Sequence, residues 1–266
     1  MKSVEPISRR YRATIAYDGT DFSGWQVQTG QRTVQLELEQ KLTSLTGQDI
    51  RVNASGRTDT GVHARGQVIH FDLATRIPLA RLKLAWNSRL PADVRVMSLQ
   101  TTRPDFDARF SATGKEYRYF IWNEAILRPD VRRYHHHVRP KLDVKAMKQA
   151  SRHLEGRHDF AAFCANPGYE REGTVRRLYS LKVSRCGSAV MIVAQGEGFL
   201  YKMVRSLAGF LIRVGTGELV PADATHILQS KERTARVPTA PGCGLFLWKV
   251  SYGKTRSRVM DRARSQ

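Results

Sequence analysis

The sequence is poor in cysteine. Its three, Cys164, Cys186 and Cys243, stand far apart and none belongs to a CxxC pair. An odd, scattered set excludes a disulfide scaffold and a zinc ribbon, and it fits a reducing, cytoplasmic setting. Long apolar runs are missing as well. No stretch approaches the ~18 residues of a membrane span, and Met1 to Pro6 offers no apolar segment for a secretory signal. Phosphate cradles are absent. Gly56 to Gly61 is followed by Val62 where a P-loop needs lysine, and Gly114-Lys115-Glu116 lacks both the upstream glycine and the following hydroxyl. A nucleotide-driven reaction is therefore not expected. Acid is scarce: 24 Asp+Glu face 44 Lys+Arg, for a net charge of +20. That excess selects a polyanionic partner, with nucleic acid foremost, because clustered Lys and Arg release counterions from phosphates.

What is present is ordinary globular material. Hydrophobic residues make up 41% of 266, enough for one large domain or two of common size. Tyr11, Ala13, Ile15 and Tyr17 alternate as in a strand, and Asp18-Gly19-Thr20 turns the chain. Val34, Leu38, Leu42 and Leu45 share a helical face closed by Gly47. Val68 to Leu73 reads as a strand. Pro78 opens a helix with Leu79, Leu82, Trp86 and Leu90 inward, Pro91 stops it, and Val94 to Leu99 is again a strand.

The pattern then restarts. A strand spans Tyr117 to Ile121. A helix capped by Asp143 carries Val144, Met147, Ala150 and Leu154. Strands Leu178 to Val183 and Ala189 to Gln195 meet at a Cys186-Gly187-Ser188 turn. Leu200, Val204, Leu207, Leu211 and Val214 form an apolar stripe closed by Gly215, and Leu245 to Val250 is a last strand. Hairpins mixed with crossovers indicate an α+β fold. We expect an N-terminal half over 1–105, a C-terminal half over 106–252 and a loose basic tail over 253–266. The two halves read alike in element order, without a residue-level repeat.

The densest chemistry lies in residues 54 to 72. Here one carboxylate, Asp59, sits between Arg57, hydroxyls and two glycines, directly before a strand. An aspartate beside Gly and Thr most often forms a turn. In a chain this basic it is also the natural candidate for an acid presented to a polyanion.

Residues 56 to 64, Gly-Arg-Thr-Asp-Thr-Gly-Val-His-Ala, resemble the catalytic motif of the bacterial tRNA pseudouridine synthase A family. Residues 17 to 26, 106 to 112, 115 to 119 and 199 to 205 are similar to further motifs of that family, in its order, from about Arg10 to Tyr252. The resemblance implies two pseudo-symmetric α+β halves, each a mostly antiparallel sheet with helices packed on it, around a central RNA-binding cleft. It implies a cofactor-free isomerase that forms homodimers and converts uridines at tRNA positions 38 to 40. Residue by residue, it implies Asp59 as the catalytic aspartate and Tyr117 as the tyrosine packed on the base. Arg205 becomes the partner of the carboxylate, and Arg57 an RNA contact. Phe106, Asp107, Ala108, Arg109 and Phe110 match an RNA-contacting stretch. Ser206 departs from the asparagine usual at that place.

The chemistry is consistent with those residue types. Isomerisation breaks one glycosidic bond and makes another, with no redox change, so no metal, nucleotide or other small-molecule cofactor is called for. One carboxylate can act as a nucleophile or as a base. The sequence leaves open attack at C6, attack at C1′, and a glycal route. An arginine partner favours the ionised acid against desolvation. A tyrosine offers a flat face to a base taken out of its stack.

Other constellations weigh less. Within His135-His136-His137, neighbours on a strand point to opposite faces, which argues against a metal site. Asp72 and Asp107 offer a weak paired-carboxylate reading, which would make a glycosidase or nucleosidase. A non-catalytic RNA-binding protein is a further alternative. Arg76, Arg171, Arg176 and Arg177, with the group at Arg128, Arg132, Arg133, Arg139 and Lys141, are candidate phosphate contacts that position tRNA without reading it.

Overall fold

A computed structural model describes residues 7–165 and 173–253 of the chain. The basic tail beyond Gly253, with Tyr169 and Arg171, lies outside the described residues. The fold is α+β and mostly antiparallel, in two compact units. The first comprises residues up to Thr113 and those from Leu247 on; the second is Gly114–Phe246.

The first unit is built on β1 (Ser8–Tyr17), β2 (Asn53–Ala54), β3 (His63–Ala74) and β4 (Val94–Thr101). β1 lies antiparallel between β3 and β4, and β2 adds to β3. The alternation read from the sequence holds: Tyr11, Ala13, Ile15 and Tyr17 are all buried. Helix α1 (Val34–Thr46) starts where the Thr33 hydroxyl accepts the Leu36 N–H, and it ends at Gly47 in the left-handed region. Helix α2 (Leu79–Asn87) follows Pro78 and buries Leu82 and Trp86. The Trp86 ring meets Phe71 of β3 edge-on at 5.5 Å, and Phe71 stacks on Tyr11 of β1 at 5.4 Å.

In the second unit β5 (Ala112–Trp122), β7 (Gly156–Asp159), β8 (Val175–Cys186) and β9 (Ala189–Gly196) run in the order β5-β9-β8-β7, antiparallel throughout. The two-residue β6 (His136–His137) pairs parallel to β5. Helix α3 (Val144–His153) is capped by the Asp143 carboxylate, as expected. The stripe that begins at Leu200 forms helix α4 (Met203–Gly215), which starts three residues later because Lys202 takes the left-handed conformation, φ 56°. Helix α5 (Asp223–Ser230) is short, and its buried residues Ala224, Ile227 and Leu228 share one face. The last strand, β10 (Leu245–Tyr252), begins among the second unit's residues and continues in the first.

In the first unit the fold also fixes the segment Phe106–Phe110. Arg10 clamps Asp72 through two hydrogen bonds, of 2.9 and 2.7 Å, and gives a third to the Phe106 carbonyl at 3.1 Å. The Tyr252 hydroxyl donates to the Ala108 carbonyl at 2.6 Å, and His70 Nδ1 accepts the Ala108 N–H at 3.0 Å. The Asp107 carboxylate accepts the N–H groups of Arg109 and Phe110 at 2.7 and 2.9 Å. Phe106 packs at 5.1 Å from the Tyr252 ring.

These contacts set the local charges. Burial lowers the His70 imidazole below its ordinary value; Asp107 and Asp72 oppose the shift, and Arg10 adds to it. Asp72 is lowered mainly by the hydrogen bonds from Arg10. For Asp107, burial acts upward, but the two backbone N–H groups, with His70 and Arg10, hold it below its ordinary value. His70 thus stays neutral in the folded chain while the unfolded chain takes up a proton below about pH 6.5. Stability should fall as pH drops through that value toward the lowered folded one. Half-buried His135 and His136, lowered by desolvation as well, add to the slope. The contribution of Asp72 and Asp107 is intact above about pH 3.9 and is lost only below it. We expect the urea midpoint to drop between about pH 7.5 and about pH 5. The drop should be smaller in His70→Asn, whose amide oxygen accepts the Ala108 N–H but cannot titrate. Equal slopes in the two proteins would contradict this account of His70.

Candidate active site

The segment from Ser55 to Val62 is a loop fastened on both sides. On the strand side, Ser55 N–H reaches the Val68 carbonyl at 2.8 Å. The Ser55 hydroxyl donates to Gln67 Oε1, and Gln67 Nε2 donates to the Gly56 carbonyl, each at 2.7 Å. On the other side lies the turn that follows β1. Trp25 N–H donates to the Thr58 carbonyl at 3.0 Å, and Gly61 N–H to the Phe22 carbonyl at 3.4 Å. The hydroxyls of Tyr17 and Thr58 share a hydrogen bond of 2.8 Å. Val62 N–H closes a turn onto the Asp59 carbonyl at 3.1 Å, with Gly61 at φ 72°.

Backbone meets backbone here with no space between. A Cβ on Gly19 would lie 2.1 Å from the Val62 carbonyl oxygen, and one on Gly24 2.8 Å from that of Thr58. Glycine is required at both places. The two motifs, 17 to 26 and 56 to 64, are therefore halves of one packed object. Arg32 secures the outer half: its guanidinium holds Asp93 at 2.8 and 3.0 Å and Glu37 at 3.1 Å, and lies 4.1 Å over the Phe22 ring.

His63 is fully buried behind the loop. Its Nδ1 lies 3.0 Å from the Gly19 N–H and 3.1 Å from Asp18 Oδ1. One nitrogen cannot both accept from Gly19 and donate to Asp18. Asp18 Oδ1 already receives the Thr20 N–H and O–H, at 3.0 and 2.6 Å, so we read Nδ1 as the acceptor. His63 is thus a packing and hydrogen-bonding residue. So is Tyr17, whose phenol is pushed up by burial and stays neutral, with Thr58 and Gln67 acting downward. What the loop leaves outward is Arg57 and Thr60, both exposed, with Asp59 half-buried between them.

The stretch Phe106–Phe110 divides into two roles. Phe106 and Ala108 are buried anchors, and Asp107 is the cap for the turn. Arg109 and Phe110 are presented: Phe110 is 81% exposed, and the Arg109 guanidinium sits 5.3 Å from its ring. Asp72 and Asp107 are both committed and both lowered in pKa. A hydrolase acid needs the reverse, so the paired-carboxylate reading fails.

In the second unit Tyr117 lies on β5, only 8% exposed, with its ring edge-on to Phe199 at 5.2 Å. Arg205 projects from the first turns of α4. Its Nε donates to the Ala240 carbonyl at 2.7 Å, and Ala240 N–H returns to the Arg205 carbonyl at 3.1 Å. That clasp orients the guanidinium. Ser206 is buried, and its hydroxyl accepts from Arg233, which also donates to the Thr239 hydroxyl. The composition gave no signal for Arg233, a cation far from the motifs along the chain.

The histidine tract is aromatic packing. His135 lies against Phe120 and Trp122, and His136 against Tyr119. His137 Nε2 meets the Glu124 carbonyl at 2.9 Å, while His136 Nδ1 is buried without a partner. Among the described residues no group of three or more His, Cys, Asp or Glu could hold a metal ion. Of the outer cations, Arg76, Arg132, Arg133, Arg139 and Lys141 are exposed. Arg128 is already paired with Asp130 at 2.6 Å. Arg176 and Arg177 are neighbours on β8 and so point to opposite faces. Arg176 is half-buried, with its guanidinium on the Val175 carbonyl, and Arg177 is exposed.

The family model described as tRNA pseudouridine synthase matches residues 13–111 and 150–253. The tRNA pseudouridine synthase A of Brevibacillus brevis is 47% identical over 244 residues, covering 92% of this chain and 100% of that one. The enzyme of the same name from Bacillus subtilis is 46% identical over 247 residues, 91% of this chain and 99% of its own. That of Oceanobacillus iheyensis is 43% identical over 251 residues, 94% of this chain and 99% of its own. No described helix is long and apolar enough to cross a membrane. With matches of this breadth, and with the Asp59 loop inside the matched residues, the chain belongs to the tRNA pseudouridine synthase family, isomerases that turn uridine in tRNA into pseudouridine.

Proposed function

We propose that this chain isomerises the uridines at positions 38, 39 and 40 of the tRNA anticodon stem-loop, with Asp59 as its reacting carboxylate. The observation that carries the reading is the Asp59 loop. Ser55, Thr58 and Val62 are buried and hydrogen-bonded, and among them the half-buried acid stands with Arg57 and Thr60 exposed. A carboxylate held this way needs no reorganisation when it reacts.

The reaction breaks the bond between N1 and C1′, turns the base, and joins C5 to C1′. The proton leaves C5 and N1 gains one, so atoms balance without an oxidant or a cofactor. Asp59 acts either by adding to C6 or C1′ or by removing a proton on a glycal route. Tyr117 packs on the displaced base. Arg205, already clasped by Ala240, is the positively charged partner of the carboxylate. Arg57, Arg109 and Phe110 meet the RNA from the first unit, with Arg76 and Arg177 as outer phosphate contacts. Exposure and charge support these roles.

Asp59→Asn removes the reacting oxygen but hardly any volume. It should abolish pseudouridine formation, read by nucleoside analysis of the tRNA, while tRNA affinity stays near wild type. A variant that turns over at more than a small fraction of the wild-type rate would remove Asp59 from its role.

The outer cations are tested by salt. Each phosphate contact adds roughly 0.7–0.9 to the slope of log K against log salt. Arg177→Ala should lower that slope by about one contact and leave the chemical step at saturation unchanged. Arg176→Ala, on the opposite face, should leave the slope where it is. A wild-type slope for Arg177→Ala would show that its face does not meet the RNA.

A further inference from the structure

We infer that Tyr17 and Gln67 are positioning residues for the reaction: through Thr58, Ser55 and Gly56 they set where the Asp59 carboxylate stands. The inference rests on the reading of Asp59 as the reacting acid.

Four polar side chains, Tyr17, Ser55, Thr58 and Gln67, are buried together behind the loop. Burying polar groups is costly unless they are matched, and even matched pairs add little net stability. Phe at 17 with Val at 58 would remove both partners of one bond and fill the same volume about as well. Stability alone therefore does not call for the Tyr17–Thr58 pair. What it supplies is direction. The side-chain bonds from the strands end on three of the four residues before Asp59: Gln67 accepts from the Ser55 hydroxyl and donates to the Gly56 carbonyl, and the Tyr17 hydroxyl pairs with that of Thr58. Tyr17 and Gln67 thus hold the same loop at two places, Thr58 on one side and Ser55 with Gly56 on the other.

The strands are suited to this task. Gln67 lies within β3 opposite Ile15 of β1, and the β1–β3 register shifts between Ile15 and Tyr17. Such an irregularity re-aims the side chain that follows it. It brings the Tyr17 hydroxyl to Thr58, the residue directly before the acid. Tyr17 itself is buried and stays neutral, and it bonds to Thr58. It acts through that neighbour.

The test uses full-length variants, with steady-state kinetics on tRNA and direct tRNA binding. Tyr17→Phe and Thr58→Val should each lower kcat by about ten- to a hundredfold, the scale of a displacement near 1 Å, with KM and tRNA affinity unchanged. The double variant should be no worse than the poorer single one, because both break the same bond. Thr58→Ser, which keeps the hydroxyl, should restore turnover. Should a single variant fail to fold, Gln67→Met carries the same expectation for kcat. Wild-type kcat in Tyr17→Phe and Thr58→Val, with Asp59→Asn inactive, overturns the positioning role and leaves the Asp59 reading standing. Lowered stability with unchanged kcat per folded molecule overturns it in the same way. Turnover by Asp59→Asn overturns both.

Discussion

The contact between two pieces of bare backbone, the turn at Gly19 to Gly24 and the loop at Thr58 to Val62, is what the rest of the first unit depends on. Neither glycine can gain a methyl group, since its Cβ would fall 2.1 Å from Val62 or 2.8 Å from Thr58. Close approach leaves the loop's polar groups without water, so each must be matched from the protein. Trp25, Phe22, Tyr17 and Gln67 supply those partners. The strands β1 and β3 hold two of them, and the clamp of Arg32 on Asp93 and Phe22 steadies the turn that holds the others. The bonded loop that carries Asp59 is the product of this chain of constraints.

The same logic accounts for the other presented residues. Phe106 and Ala108 are spent as anchors so that Arg109 and Phe110 can project, and Asp107 serves the turn that carries them. Arg205 is oriented by its bond to Ala240 before any carboxylate is considered. At each place the side chain stands on a hydrogen-bonded support within its own unit. The positive charge, by contrast, is spread widely: several cations already have partners, such as Arg10 with Asp72 and Arg128 with Asp130. Such pairs are neutral within the net +20, so it is the count of 44 Lys+Arg that overstates the cations open to an anion.

Much of the fold could be read in the sequence where one period ran undisturbed. The alternation from Tyr11 to Tyr17, the helix from Val34 closed by Gly47, and the cap at Asp143 all stand as expected, because local propensity and burial agree there. The start of α4 shifted because Lys202 adopts a conformation that its residue type disfavours. Helix α5 escaped notice because its eight residues are mostly polar. Strands β6 and β7 are set by pairing with distant partners, which no local pattern records. The return of the chain from Leu247 to the first unit is likewise a tertiary event. At the site, Asp59 was visible as an acid among glycines. The supports Tyr17, Gln67 and Arg233 were not, since a tyrosine on an alternating strand and a lone glutamine look like ordinary packing until their partners are known.

The central claim is that this chain makes the bond from C5 to C1′ at three uridines of the anticodon stem-loop, using one carboxylate and no cofactor. Tritium release tests it most directly, because the hydrogen on C5 must leave when that bond forms. An anticodon stem-loop carrying 5-tritiated uridine is incubated with the purified chain, without nucleotide or added metal. The account predicts tritium in the water equal to the uridine present at positions 38 to 40, and none from a stem-loop with cytidine at those positions. No release from the first RNA, or equal release from both, would contradict it.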